Sequence, residues 1–365
     1  MGMGAKKVWG LVGVGLLAVH VGLLLWRQSL HSTVDPSAEK PPPPPVAGTP
    51  PPEKPGPPPQ DVLRPVPCEL PALVEEYRRG KESPAYRRYV REQLQGLLGR
   101  VPPEELWAKV EGERDAEVLE ALAGLWVTRF NSSGEQSVLG RVVERAGREE
   151  DAARRAALVR ALRQTGEPAS EVLARTPATR EAYRTWVKDA APEVREAVVG
   201  NLADEAARSF GRSRETAERM VSLAEEASAP GTAAGLLGAV SLESVRSPWV
   251  ARVRGLLHDS EHAEVRAAAA RALGTVAAAE ARTTMQALSE RYAPETEPPV
   301  RKALLEGIAR LGLSSAIPTL QQLKGVAPAL DAEVEAWLSL LASQPQTWNL
   351  LEQDKRALEH KRDTP

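Results

Sequence analysis

From Val118 onward the chain restarts one apolar pattern every 33 to 40 residues, at positions 118, 154, 194, 232, 265, 300 and 334. The clearest copy runs from Val265 through Ala269, Ala272, Leu273 and Val276. Offsets of four, seven, eight and eleven residues place these side chains on one face of a helix. Val300 leads Leu304, Ile308 and Leu311 in the same way, Val334 leads Leu338 and Leu341, and Val194 leads Val198 and Leu202. Val118 leads Leu122, Leu125 and Trp126, and weaker copies begin at Arg154 and Thr232. A period of this length is the signature of stacked helical pairs, in which no single unit can bury its apolar face alone.

The residues between the copies agree. Of 31 prolines, 16 lie beyond residue 67, and Pro192, Pro230, Pro248, Pro294, Pro298, Pro299 and Pro328 fall between the expected helices. Ser314 and Ser315 are expected to cap a second helix in their unit, with Pro318 in its first turn. Aromatic residues make up only 4% of the chain, and Ala, Leu, Arg and Glu dominate, a composition that favours helix over strand.

The turn residue Asp259, the Val265-Arg266 pair, Ala269 and Leu273-Gly274 together resemble the short bacterial variant of the HEAT-repeat family. So does the run from Val300-Arg301 through Leu311-Gly312 to Ala316-Ile317-Pro318. The resemblance implies an all-α fold, an α-solenoid of stacked antiparallel helix pairs, with about seven to eight pairs between Glu69 and Arg362. It further implies a ladder of turn acids and helix arginines, with Asp259 paired to Arg266, Asp189 to Arg195, and Glu295 or Glu297 to Arg301. At Val334 the arginine is replaced by Glu335, which marks a terminal repeat, and Trp348 to Arg362 should form the outer lid.

Ahead of the repeats lie two different segments. Residues 8–26 read VWGLVGVGLLAVHVGLLLW, an uncharged run of 19 residues bounded by Trp9 and Trp26. This is about the length needed to span a bilayer as a helix, with indoles at the interfaces. The run exceeds the apolar stretch of a cleaved signal peptide. Lys6 and Lys7 precede it, so the positive-inside rule places residues 1–7 in the cytoplasm and the bulk of the chain outside. The setting expected is a bacterial inner membrane with the repeats in the periplasm. His20 sits mid-span, where an ionisable group is a functional candidate. Residues 27–68 form a linker, in which positions 36–67 hold 15 prolines. Such a run extends as polyproline II at about 3.1 Å per residue, a stiff spacer on the order of 100 Å long. Residues 69–365 make up the repeat domain.

Chemistry has little material here. A net charge of −2 gives no basic face for nucleic acid. The single cysteine, Cys68, excludes an internal disulfide and a cysteine-based zinc site. His258-Asp-Ser-Glu261-His262 matches the inverted zinc-protease pattern, but it spans a turn between two repeat helices, which would swing the imidazoles apart. No phosphate-binding glycine loop occurs. The expectation is therefore a non-catalytic scaffold, with no cofactor, metal, nucleic acid or small-molecule substrate. Its partners would be membrane lipid, through residues 8–26, and an unidentified protein. Trp107, Trp126, Trp186, Trp249, Trp337 and Trp348 are candidate anchors for that protein; Trp249, following Pro248 at a helix start, is the foremost. The paired arginines Arg78-Arg79, Arg87-Arg88 and Arg154-Arg155 are interleaved with glutamates and read as solvated helix faces. Two alternative readings remain. One is an auxiliary subunit of an enzyme, since some bacterial HEAT-like proteins resemble bilin-lyase subunits. The other is a transducer that uses the His20-bearing span, since that span with its proline-rich follow-on resembles TonB-type energy couplers.

Overall fold

The computed structural model describes residues 69–97, 100–133, 135–164, 177–209, 211, 213–345 and 347–363. The chain divides into two units, Met1–Leu63 and Arg64–Pro365. The expected span at 8–26 with His20, and the whole of the proline-rich linker at 27–68, lie outside the described residues. Among the described residues no helix is long and apolar enough to cross a membrane.

Every regular element among the described residues is helical. We number the α-helices α1 Leu70–Arg79, α2 Pro84–Gly96, α3 Pro103–Gly112, α4 Ala116–Ser133, α5 Gln136–Arg148, α6 Ala152–Ala161, α7 Pro177–Trp186, α8 Pro192–Arg208 and α9 Arg214–Glu226. They continue as α10 Pro230–Ala239, α11 Ser247–Asp259, α12 Ala263–Leu273, α13 Ala278–Tyr292, α14 Pro298–Gly312, α15 Ile317–Leu323, α16 Asp331–Ala342 and α17 Trp348–Asp363. Short turns reverse the chain between an odd-numbered helix and the even-numbered helix that follows. Each pair then packs on the next, even helix against even helix, from α4 to α16. The described residues thus form an α-solenoid of two-helix units, closed by α17 on α16.

Local chemistry starts these helices where they start. Proline occupies the first turn of α1, α2, α3, α8, α10, α11, α14 and α15, where its missing N–H is not needed. Side chains of Ser83, Asp151 and Ser213 accept the N–H three residues on and cap α2, α6 and α9. The expected cap at Ser314-Ser315 does not form. Those serines lie in a 3₁₀ turn over Leu313–Ala316, Ser315 Oγ donates to the Gly312 carbonyl at 2.6 Å, and α15 is only seven residues long. Leu313 enters that turn with φ 45°, so the chain leaves α14 too sharply for a serine cap to aim at the next helix.

Six of the seven anchor positions of the sequence frame point inward, Thr232 among them, whereas Arg154 is part-exposed and turns to the Glu149 carboxylate. Val118, Val194, Val265, Val300 and Val334 are buried, and one continuous core runs from Leu70 to Leu351. Gly307 sets the spacing between α12 and α14. A Cβ built there would meet the Ala270 carbonyl oxygen at 2.8 Å and Leu288 Cδ1 at 3.0 Å. Tryptophans fill the wider gaps. Trp126 packs against Trp107 at a tilt of 49°, with ring centres 5.0 Å apart, and its Nε1 donates to the Val138 carbonyl at 2.7 Å, tying α4 to α5. Trp126→Phe should lose this buried bond and part of the ring packed on Trp107. A loss of at least about 1 kcal/mol is expected in a urea titration, and an unchanged midpoint would contradict the assignment.

Candidate functional site

Four turns between an odd helix and its even partner carry an acid at a corresponding place: Glu113, Glu149, Asp189 and Glu295. Each carboxylate accepts the backbone N–H two residues ahead, at 2.9 Å from Asp115, 3.2 Å from Asp151, 2.9 Å from Ala191 and 3.1 Å from Glu297. Six residues beyond three of these acids stands an arginine, namely Arg155, Arg195 and Arg301. Arg266 holds the corresponding position after Ser260, which opens the turn between α11 and α12.

These arginines work in two directions. Nη1 of Arg155 donates back to the carbonyls of Glu149 and Glu150, and Nη1 of Arg266 to those of Ser260 and Glu261. Nε and Nη2 then point forward to the acid of the next turn. Arg155 grips Asp189 at 2.8 and 2.9 Å, and Arg266 grips Glu295 at 2.9 Å through both nitrogens. Arg78 reaches Glu113 one turn ahead, and Glu149 is held instead by Arg154 at 2.9 Å and Arg145 at 3.5 Å. Bidentate guanidinium–carboxylate pairs of this kind are geometrically specific.

The structure corrects the expected pairing. Arg266 does not pair with Asp259. That acid is the last residue of α11 and is exposed, because the helix runs one residue past the position where the sequence frame placed the turn. Arg195 does not pair with the Asp189 carboxylate either; its Nη1 donates to the Asp189 and Ala190 carbonyls at 2.5 and 2.9 Å. Arg301 bonds the Ala293 carbonyl at 3.4 Å and lies 5.7 Å from the Tyr292 ring centre, with neither Glu295 nor Glu297 as partner. Arg155, Arg78, Glu113 and Glu149 are rungs that the frame did not assign. The acid-to-arginine spacing of six residues, shared by Glu149, Asp189 and Glu295, is the signal that finds Glu149 and Arg155; Glu113, with Leu119 six residues on, and Arg78 carry no such mark.

Electrostatics follow the pairing. Burial would raise the carboxyl of Glu295, which is 1% exposed. The Arg266 hydrogen bonds, the Glu297 N–H and the charges of Arg266 and Arg291 outweigh it and hold the pKa at about 2. Burial likewise opposes, and Arg155 with the Ala191 N–H overcomes, a rise at Asp189, whose pKa is lowered. Bonding to Asp189 and Glu295 raises the guanidinium pKa of Arg155 and Arg266.

The foremost tryptophan lies elsewhere, on the odd-helix layer. Trp249 opens α11 half-buried, with Arg252 Cζ 4.1 Å above its ring centre. It borders a groove of about 640 Å³ between α7, α9 and α11, whose walls include Arg184, Glu218, Arg219, Ser222 and Leu223. A neighbouring hollow shares Glu181 and Arg184 and continues to Arg155 and Lys188. The other tryptophans are structural. Trp126, Trp186 and Trp337 are buried, Trp107 packs at a tilt against Trp126, and Trp348 stacks on Trp337 at 5.9 Å as α17 closes the stack. His258 lies in the last turn of α11 and His262 caps α12, both exposed on either side of the turn. No group of three metal-ligating side chains gathers among the described residues.

The fold thus defines a class, the α-solenoid of two-helix repeats. No protein-family model matches the chain, and no curated protein matches it. Among solved structures it is similar to YibA of Escherichia coli, at 13% identity and a TM-score of 0.41 over 73% of this chain and 91% of that one. It is also similar to the archaeal HEAT-like repeats protein from Thermococcus onnurineus NA1, at 14% identity and 0.42 over 67% and 98%. Kap121p matches at 12% identity and 0.32 over 75% of this chain and 41% of its own length. At such scores the likenesses carry no argument, and the helical stack stands on its own geometry.

Proposed function

We propose that this chain is a membrane-anchored, non-catalytic scaffold that grips a protein partner on the odd-helix face of its repeats. The observation that carries the reading is the Trp249 groove, in which a half-buried indole under a guanidinium borders walls of alternating charge. Tryptophan and arginine are the residues most enriched where binding energy concentrates. A preformed surface on packed helices also loses little entropy on binding. Anchoring by residues 8–26, with residues 1–7 in the cytoplasm and the repeats in the periplasm of a bacterial inner membrane, is supported by the apolar run and the lysines before it.

The test is site-specific photocrosslinking in cells with the full-length chain, using a photoreactive residue at Ser222 on the groove wall. One discrete adduct is expected, weakened at least tenfold by Trp249→Ala in a variant that is still expressed and folded, as its helical circular-dichroism signal reports. Absence of a discrete adduct, or an adduct indifferent to Trp249→Ala, would remove the groove as the docking site. A reporter fused after Pro365 should be active only outside the cytoplasm; cytoplasmic activity would overturn the placement.

A further inference from the structure

One rung of the turn ladder is missing its acid. The turn between α9 and α10 reads Ala227-Ser228-Ala229, and Ala227 occupies the place that Glu113 and Glu149 hold in theirs. The backbone is the same there: φ and ψ are −62° and 133° at Ala227, −74° and 136° at Glu113, and −76° and 118° at Glu149. The arginine that should reach this rung is present. Arg195 anchors Nη1 on its own turn carbonyls as Arg155 and Arg266 do, yet its Nε and Nη2 meet no carboxylate among the described residues. Nor does the Ala229 N–H, which corresponds to the N–H that each turn acid accepts, meet an acceptor among them.

The nearest acid in sequence is committed elsewhere, since Glu226 bonds Lys188 at 3.0 Å and lies 3.4 Å from Arg184. Between Arg195 and Ala229 lies a hollow of about 470 Å³, with Gly231 and Thr232 on its far wall. One carboxylate, the exposed Glu196, stands on its rim. The next junction carries no such imbalance, because Ala233 and Ser260 replace arginine and acid together. Arg301, also without a carboxylate, has the Tyr292 ring against it.

We propose that the Arg195 hollow receives an Asp or Glu side chain of a bound protein, whose carboxylate completes the rung in trans. The proposal rests on the scaffold reading for the existence of a partner, but the site is separate from the Trp249 groove. Two rungs within the same molecule give the binding geometry: a carboxylate bidentate on Nε and Nη2, with one oxygen also accepting the turn N–H. The hollow is large enough to admit the side chain with its backbone, which a free rung would not need.

The experiment measures fluorescence anisotropy of a labelled peptide, acetyl-Gly-Glu-Gly-Glu-Gly-amide, on the full-length chain, with the Gln-for-Glu peptide as control. Only the Glu peptide should bind. Arg195→Gln should weaken it at least tenfold. Ala227→Glu should do the same by filling the rung in cis, with a melting midpoint at or above that of the parent chain. Glu196→Gln should tighten binding severalfold, and Trp249→Ala should leave it unchanged, so failure of the groove and failure of this site are told apart. No binding of the Glu peptide, equal binding of the two peptides, or binding indifferent to Arg195→Gln would overturn the proposal. Self-association of the parent chain that Arg195→Gln abolishes would assign the acid to a second copy and overturn it as well.

Discussion

Arg266→Ala is expected to destabilise the repeat domain by about 3 kcal/mol at pH 7, and by much less at pH 2.5. The partner left behind, Glu295, is 1% exposed, and a buried carboxylate stripped of its counter-ion costs about 3–5 kcal/mol. Arg291, 3.1 Å from Glu295 Oε2, keeps the cost at the lower end. The pH dependence follows from linkage. The folded-state pKa of Glu295 is depressed from 4.5 to about 2. Its contribution is therefore fully present above the unfolded value and is lost as pH falls from about 4.5 toward 2. The lost contribution is about 3 kcal/mol. Chemical denaturation of the parent chain, Arg266→Ala and Glu295→Gln across this range should show the Glu295→Gln curve flatter than the parent by that amount. An Arg266→Ala penalty that stays constant from pH 7 to pH 2.5 would show that the rung is not an ionic one.

Gly307→Ala should destabilise, although alanine is the better helix former by about 1 kcal/mol. The added methyl would lie 2.8 Å from the Ala270 carbonyl oxygen, a backbone atom that cannot rotate away. The alternative is for α14 to move off α12, which also parts Gly307 from Gly274. Overpacking of this kind costs about 1–3 kcal/mol. Gly140→Ala is the matched comparison. Gly140 lies inside α5 with nothing within 4 Å of the added methyl, so that variant should gain up to about 1 kcal/mol. Opposite signs for the two variants in the same denaturation assay are the expected result. Equal gains would mean that α12 and α14 are not in close contact.

Much of the stack was legible because burial repeats with the helical period. Val265, Val300 and Val334 each open a run whose inward positions follow from spacing alone, and all three are buried. The ladder was only half legible. An acid near a turn and an arginine in the next helix can be seen in sequence. Which pairs with which depends on where the helix ends and on which guanidinium nitrogens the turn carbonyls take. At Asp259 the helix continues one residue too far, and at Arg266 the carbonyls take Nη1, which leaves only the forward direction for a carboxylate. Ala227 was invisible for a different reason. A missing acid leaves no mark in a sequence until the neighbouring rungs have fixed where it belongs. Trp249 was singled out from its place after a proline, but the groove beside it is made by α7 and α9, whose approach no local pattern encodes.

The interruption at Ala227 and Ser260 has a mechanical consequence. Rungs cross the turn edge at Glu113, Asp189 and Glu295, while two successive junctions in the middle carry none. Small side chains hold the even helices together there, as where Gly235 lies against Val199. Between α8 and α12 the stack is therefore joined by helix packing and by odd-helix ion pairs such as Lys188–Glu226 and Arg252–Glu225, and a carboxylate lodged on Arg195 would add a latch along the turn edge.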